Sequence, residues 1–127
     1  MVTQPDIRRY EAQARSSDTF GRVLCSTRNH HFVVDGPVQN GCPGEEVTPA
    51  ELFLASVAAC GAELVQVIAK QQDIPVQRIK ATIVGTQDRG NPARPDYSVF
   101  NRVVMHFYLA GVTMEQGTQL VEAFKRR

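Results

Sequence analysis

The chain has 127 residues, enough for one domain, and its 43% apolar and 21% charged composition is that of an ordinary globular protein. A formal net charge of +1, with basic residues spread among acids except at Lys125, Arg126 and Arg127, argues against nucleic acid or an anionic membrane surface as a partner. No apolar run is expected to reach the length of a membrane span, and the N-terminal stretch has no apolar signal core, so a cytoplasmic setting with reduced thiols is expected. The three cysteines, Cys25, Cys42 and Cys60, have no CxxC spacing. They fit neither a disulfide framework nor a zinc site, and no metal or cofactor is expected.

In chain order, residues 6–15 and 20–26 are candidate strands, with Asp18 and Gly21 at the turn between them. "NHHFVVDG", 29–36, is a third strand, closed by Asp35-Gly36-Pro37. A Gly- and Pro-rich loop follows. A helix is then signalled over 48–73. Thr48 is its N-cap, Pro49 suits the first helical position, and Glu51 completes a T-x-x-E capping box. Its first half is apolar nearly all round, which predicts burial on every side. The small residues Ala55, Ser56, Ala58, Ala59, Gly61 and Ala62 predict close helix–helix contact, with a second subunit as a plausible partner in so short a chain.

"RIKATIVGT", 78–86, and "SVFNRVVMHFYLAG", 98–111, alternate like two strands on either side of a long polar loop. Val103, Met105, Phe107 and Leu109 share one face of the second, with Val104, His106 and Tyr108 on the other. A second helix starts at Thr113, with Gln116 as capping-box partner, and carries a stripe of Leu120, Val121 and Phe124. Residues 1–127 are thus expected to be a single α+β domain, with helices on an antiparallel sheet, ending within or just after the second helix.

Cys60 is the first residue to weigh for chemistry. A free cysteine on an apolar helix packs as a small hydrophobe more often than it reacts. A reactive thiol needs a cation, a helix N-terminus or hydrogen bonds, and Cys60 lies about three turns inside its helix, too deep for the N-terminus to act. Cys42, in the Gly/Pro loop, is either an incidental thiol or one that condenses with an oxidised Cys60. Cys25 reads as strand packing. His30 and His31 face opposite sides of a strand and cannot both line one site. His106 reads as a solvated residue on a polar strand face. Arg22 and Arg28 are candidate cations for a thiolate, although surface solvation is arginine's commoner fate. Glu51 looks like a catalytic acid near a thiol, but the capping box already explains it.

The stretch "TPAELFLASVAACGAELVQVIAK" resembles the first central helix of the OsmC/Ohr family, the osmotically inducible and organic hydroperoxide resistance proteins. Pro49, Glu51, Leu52 and Ala58-Ala59-Cys60 match its pattern, and the later strands and helix follow the family's order. The resemblance implies an OsmC-like fold, an intertwined homodimer with antiparallel sheets wrapped round two central helices. It implies that Cys60 is a peroxidatic thiolate attacking a small organic hydroperoxide. A second cysteine resolves the sulfenic acid, and a dithiol reductant completes the cycle in an oxidative stress response. The sequence departs from the peroxidase members in three places. Ala50 stands where they carry Glu, so Glu51 matches the next position. The loop "QNGCPG" has no arginine. Cys42 is not at the family's resolving position, which follows the second helix. Two readings follow: a thiol peroxidase built on Cys60, with Arg28, Glu51 and Cys42 as accessory candidates, or a non-catalytic dimer that binds an apolar small molecule.

Overall fold

The computed structural model describes residues 5–127. The chain forms two compact units, Met1–Leu52 and Phe53–Arg127.

The first unit is a three-stranded antiparallel sheet of β1 (Gln13–Ser16), β2 (Arg22–Thr27) and β3 (His30–Asp35), in that order. The expected strand over 6–15 is therefore confined to its end. Residues 5–12 stay outside the sheet and hold Ile7 and Tyr10 more than four-fifths exposed, so nothing there rewards pairing. The β2–β3 hairpin turns at Arg28, whose φ of 51° is left-handed. The register sets Arg22 opposite Asp35 and Cys25 opposite Phe32. It leaves His30 and His31 on opposite faces, both exposed, as alternation predicts. Beyond β3, a 3₁₀ turn at Val38–Asn40 ends at Gly41 in the left-handed region.

Helix α1 (Pro49–Gln71) starts where its capping box predicts. Glu51 Oε1 accepts from the Thr48 backbone N–H at 3.0 Å, and Thr48 Oγ1 accepts weakly from the Glu51 N–H at 3.4 Å. The helix stops at Asp73, which takes φ 55°. There the Ile74 N–H bonds to the Ala69 carbonyl at 2.9 Å and the Asp73 N–H to that of Lys70 at 3.4 Å, the paired bonds of a Schellman stop.

In the second unit, β4 (Arg78–Thr86) pairs antiparallel with β5 (Arg102–Ala110), and α2 (Met114–Phe124) follows. β5 is shorter than the expected 98–111, ending at Gly111 with φ 90°. α2 has its predicted capping box between Thr113 and Gln116. The core lies between the helices and one face of β4–β5. It centres on Val65, Ile68, Ala69 and Leu120, all at most 1% exposed, and Phe107 meets Phe124 edge to face at 5.5 Å.

Two expectations about α1 are corrected. It is not buried all round: only Gly61, Val65, Ile68 and Ala69 are, while Leu52, Phe53, Ala55 and Ala59 are exposed. One sheet face and one neighbouring helix cover a single stripe of it, and the remaining apolar surface has no cover. By length and composition alone, its 23 residues are also sufficient to cross a membrane. A run built from alanine, leucine and valine passes that test even when it serves as the core helix of a globular fold.

Candidate active site

Gly61 fixes how α1 meets the sheet. A Cβ placed on it would lie 2.7 Å from Met105 Cε and 2.9 Å from Phe107 Cζ, so the helix approaches β5 too closely for any side chain there. One residue back, Cys60 is rotated by about 100° from that contact. Its thiol is free and exposed. Residues three and four positions away share its face: Ser56, Val57, Glu63 and Leu64. Phe53, two turns earlier on that side, stacks on Phe100 with ring centroids 6.3 Å apart. Phe100 in turn lies over Gly85, where a Cβ would stand 2.8 Å from the ring. The Ser56 hydroxyl is committed to the Phe53 carbonyl at 2.6 Å.

The accessory candidates occupy separate structural roles. Glu51 is held in the capping box, its carboxylate also accepting from Thr48 Oγ1 at 2.8 Å. The Thr48 backbone and side-chain donors together hold its pKa below the ordinary value. Arg22 makes a bidentate pair with Asp35, Nε to Oδ1 at 2.8 Å and Nη2 to Oδ2 at 2.9 Å, and reaches Glu45 at 3.3 Å. The pair raises the guanidinium's already high pKa and holds the Asp35 carboxyl far below the usual carboxylate range. Arg28 is exposed at the tip of the β2–β3 hairpin. His106 is exposed and alternates with Met105 and Phe107, so it faces away from the side of β5 that meets Gly61.

Cys42 is half-buried between two glycines. A Cβ on Gly21 would come within 2.5 Å of its Cβ, and one on Gly36 would collide with its Sγ. Cys25, half-buried on β2, pairs across the sheet with Phe32. Among the described residues, no group of three or more His, Cys, Asp or Glu side chains is arranged to hold a metal ion.

Sequence reasoning missed the Asp35 anchor. Besides Arg22, this fully buried carboxylate accepts the backbone N–H groups of Glu45 and Glu46 at 3.0 and 2.9 Å, clipping the loop that leads into α1. A charged residue at the inward end of "HFVVDG" was the available signal. It also passed over Glu63, an acidic residue one turn beyond Cys60 in an apolar helix.

The OsmC-like protein family model matches residues 42–127. No curated protein matches the sequence. Among solved structures, an OsmC-like protein from Mycoplasma pneumoniae superposes with a TM-score of 0.80 at 14% identity, covering 94% of this chain and 82% of that one. An organic hydroperoxide resistance protein OsmC from Legionella pneumophila gives 0.74 at 21% identity, covering 96% and 85%. An organic hydroperoxide resistance protein from Elizabethkingia anophelis gives 0.70 at 20%, covering 97% and 85%. The expected arrangement of helices and antiparallel sheets is thus that of OsmC-fold structures.

Proposed function

Since this chain belongs to the OsmC-like family, we propose that it is a thiol peroxidase that reduces small organic hydroperoxides through Cys60. The carrying observation is a free, exposed thiol at the middle of an otherwise apolar helix surface, where an alkyl or aryl tail finds apolar contact. The Cys60 sulfur attacks one peroxide oxygen and the O–O bond breaks. The thiol becomes a sulfenic acid, the peroxide becomes an alcohol, and the thiol's proton ends on the leaving oxygen. A second thiol then condenses with the sulfenic acid and releases water. Cys42 or an external dithiol fills that role, and a dithiol reductant restores Cys60. The exposed apolar side of α1 supports a homodimer, and the reading places the protein in the cytoplasm in an oxidative stress response.

The test is an intact mass spectrum before and after one equivalent of an alkyl hydroperoxide, with peptide mapping. Gain of one oxygen, or a disulfide, at Cys60 is expected. Cys60→Ser should abolish turnover while keeping the fold, and full activity in that variant overturns the reading.

Ala50, together with a 38–47 loop that holds no arginine, favours a second reading, a non-catalytic dimer that binds an apolar small molecule. Saturable consumption of alkyl hydroperoxide by the wild-type protein excludes it.

A further inference from the structure

Reduction of a hydroperoxide by a thiol needs a group that removes the thiol's proton and returns it to the departing alkoxide. The residues around Cys60 narrow the choice. The sheet face packed against α1 presents Ile79, Ala81 and Ile83 from β4 and Met105, Phe107 and Leu109 from β5, none of which titrates. α2 meets the other end of the helix, through Gln119 on Gln72 at 2.7 Å and Arg127 on Gln71 at 3.4 Å. On α1 itself, Glu51 is tied into the cap and Ser56 donates to a backbone carbonyl. That leaves Glu63. It is exposed and, among the described residues, makes no ion pair. It sits three positions after Cys60, where the Cβ atoms of a helical pair are about 5–6 Å apart.

We infer that Glu63 is the proton-transfer residue for Cys60, an inference that rests on the peroxidase reading above. The Glu63 carboxylate accepts the Cys60 S–H proton as the sulfur attacks the hydroperoxide. The S–O bond forms, the O–O bond breaks, and the protonated Glu63 delivers that proton to the alkoxide. The products are Cys60 sulfenic acid and an alcohol, and Glu63 is returned as a carboxylate. The same carboxylate opposes a free thiolate beside it, because like charges at this spacing repel. A base at Glu63 therefore suits a thiol that is deprotonated as it reacts and is not stored as thiolate.

These two effects give opposite signs in two assays. In Glu63→Gln, single-turnover oxidation of Cys60 by cumene hydroperoxide should fall about 100-fold or more, the usual scale of general acid–base catalysis. Alkylation of Cys60 by iodoacetamide at pH 7 should be unchanged or faster, since the repelling charge is gone. Wild-type oxidation should also lose rate below pH ~5 as the carboxylate protonates, an acid limb that Glu63→Gln lacks. Glu63→Asp should recover part of the rate. A variant that merely distorts the helix slows both reactions together, and that result overturns the proposal. So does a Glu63→Gln rate equal to wild type. If wild-type Cys60 itself resists the peroxide, the peroxidase reading fails and the proposal with it.

Discussion

Gly61 stands against Phe107 so closely that a methyl group in its place would be 2.9 Å from the ring's Cζ. This contact sets the spacing between α1 and β5, and it turns Cys60 away from the sheet. Two effects compete in Gly61→Ala. Alanine favours a helix interior by about 1 kcal/mol over glycine. Overpacking a well-filled contact costs about 1–3 kcal/mol. The Met105 terminus can move aside but the Phe107 ring, held edge to face by Phe124, has less room. Gly61→Ala is therefore expected to lower stability by about 1 kcal/mol in urea unfolding. A gain in stability would show that the helix backs away from the strand without penalty.

Asp35 supplies a second prediction, in pH. Its pKa is held below the ordinary 3.8, chiefly by the hydrogen bonds from Arg22 and then by the backbone donors of Glu46 and Glu45. A carboxylate depressed on folding adds stability that is fully present above its unfolded pKa. That stability is lost as pH falls from there toward the lower folded pKa. The urea midpoint should thus drop as pH is taken from about 5 towards 2. Asp35→Asn should be less stable than wild type at pH 7, because Arg22 loses its partner and the two loop N–H groups lose an ionised acceptor. The gap should narrow in acid. An equal gap at every pH would assign the loss to shape and not to charge.

The Cys42 contact with Gly36 permits a test by compensation. Gly36 has no left-handed φ, so steric contact with the Cys42 sulfur is the obstacle to a side chain there. Gly36→Ala should cost about 1–3 kcal/mol. In a Cys42→Gly background the same change should cost much less, since residues in contact couple by about 0.5–3 kcal/mol. Strict additivity of the two changes would show that Cys42 yields freely.

Much of the second unit was legible because its signals are local. "RIKATIVGT" alternates cleanly and became β4 without a shift in bounds, and both capping boxes form as read. The strand over 6–15 failed because alternation near Ile7 and Tyr10 says nothing about whether a sheet face is there to receive them. The burial of α1 was misjudged for a related reason. Apolar composition records that a surface needs cover, but not which element covers it. Around the site, Cys60 carried a strong pattern. Glu63 did not, because an acid in the amphipathic half of a helix looks like solvation until its neighbours are known. The Arg22–Asp35 pair depends on hairpin register, which only the folded sheet reveals.

The uncovered side of α1 gives the last prediction. Leu52, Ala55 and Ala59 are exposed and lie within a narrow arc of the helix, since steps of three, four and seven residues return to nearly one side. Small residues there let a second helix approach closely, and the proposed homodimer buries this strip. Wild-type protein should sediment as twice the 14.1 kDa chain, and Ala59→Arg near 14.1 kDa, because a guanidinium in that seam is both too large and unpaired. Far-UV circular dichroism on Ala59→Arg separates loss of the dimer from loss of the helix. A wild-type protein that sediments as a single chain at micromolar concentration would remove the dimer from the proposal. The strip would then be an apolar surface that one chain tolerates in water.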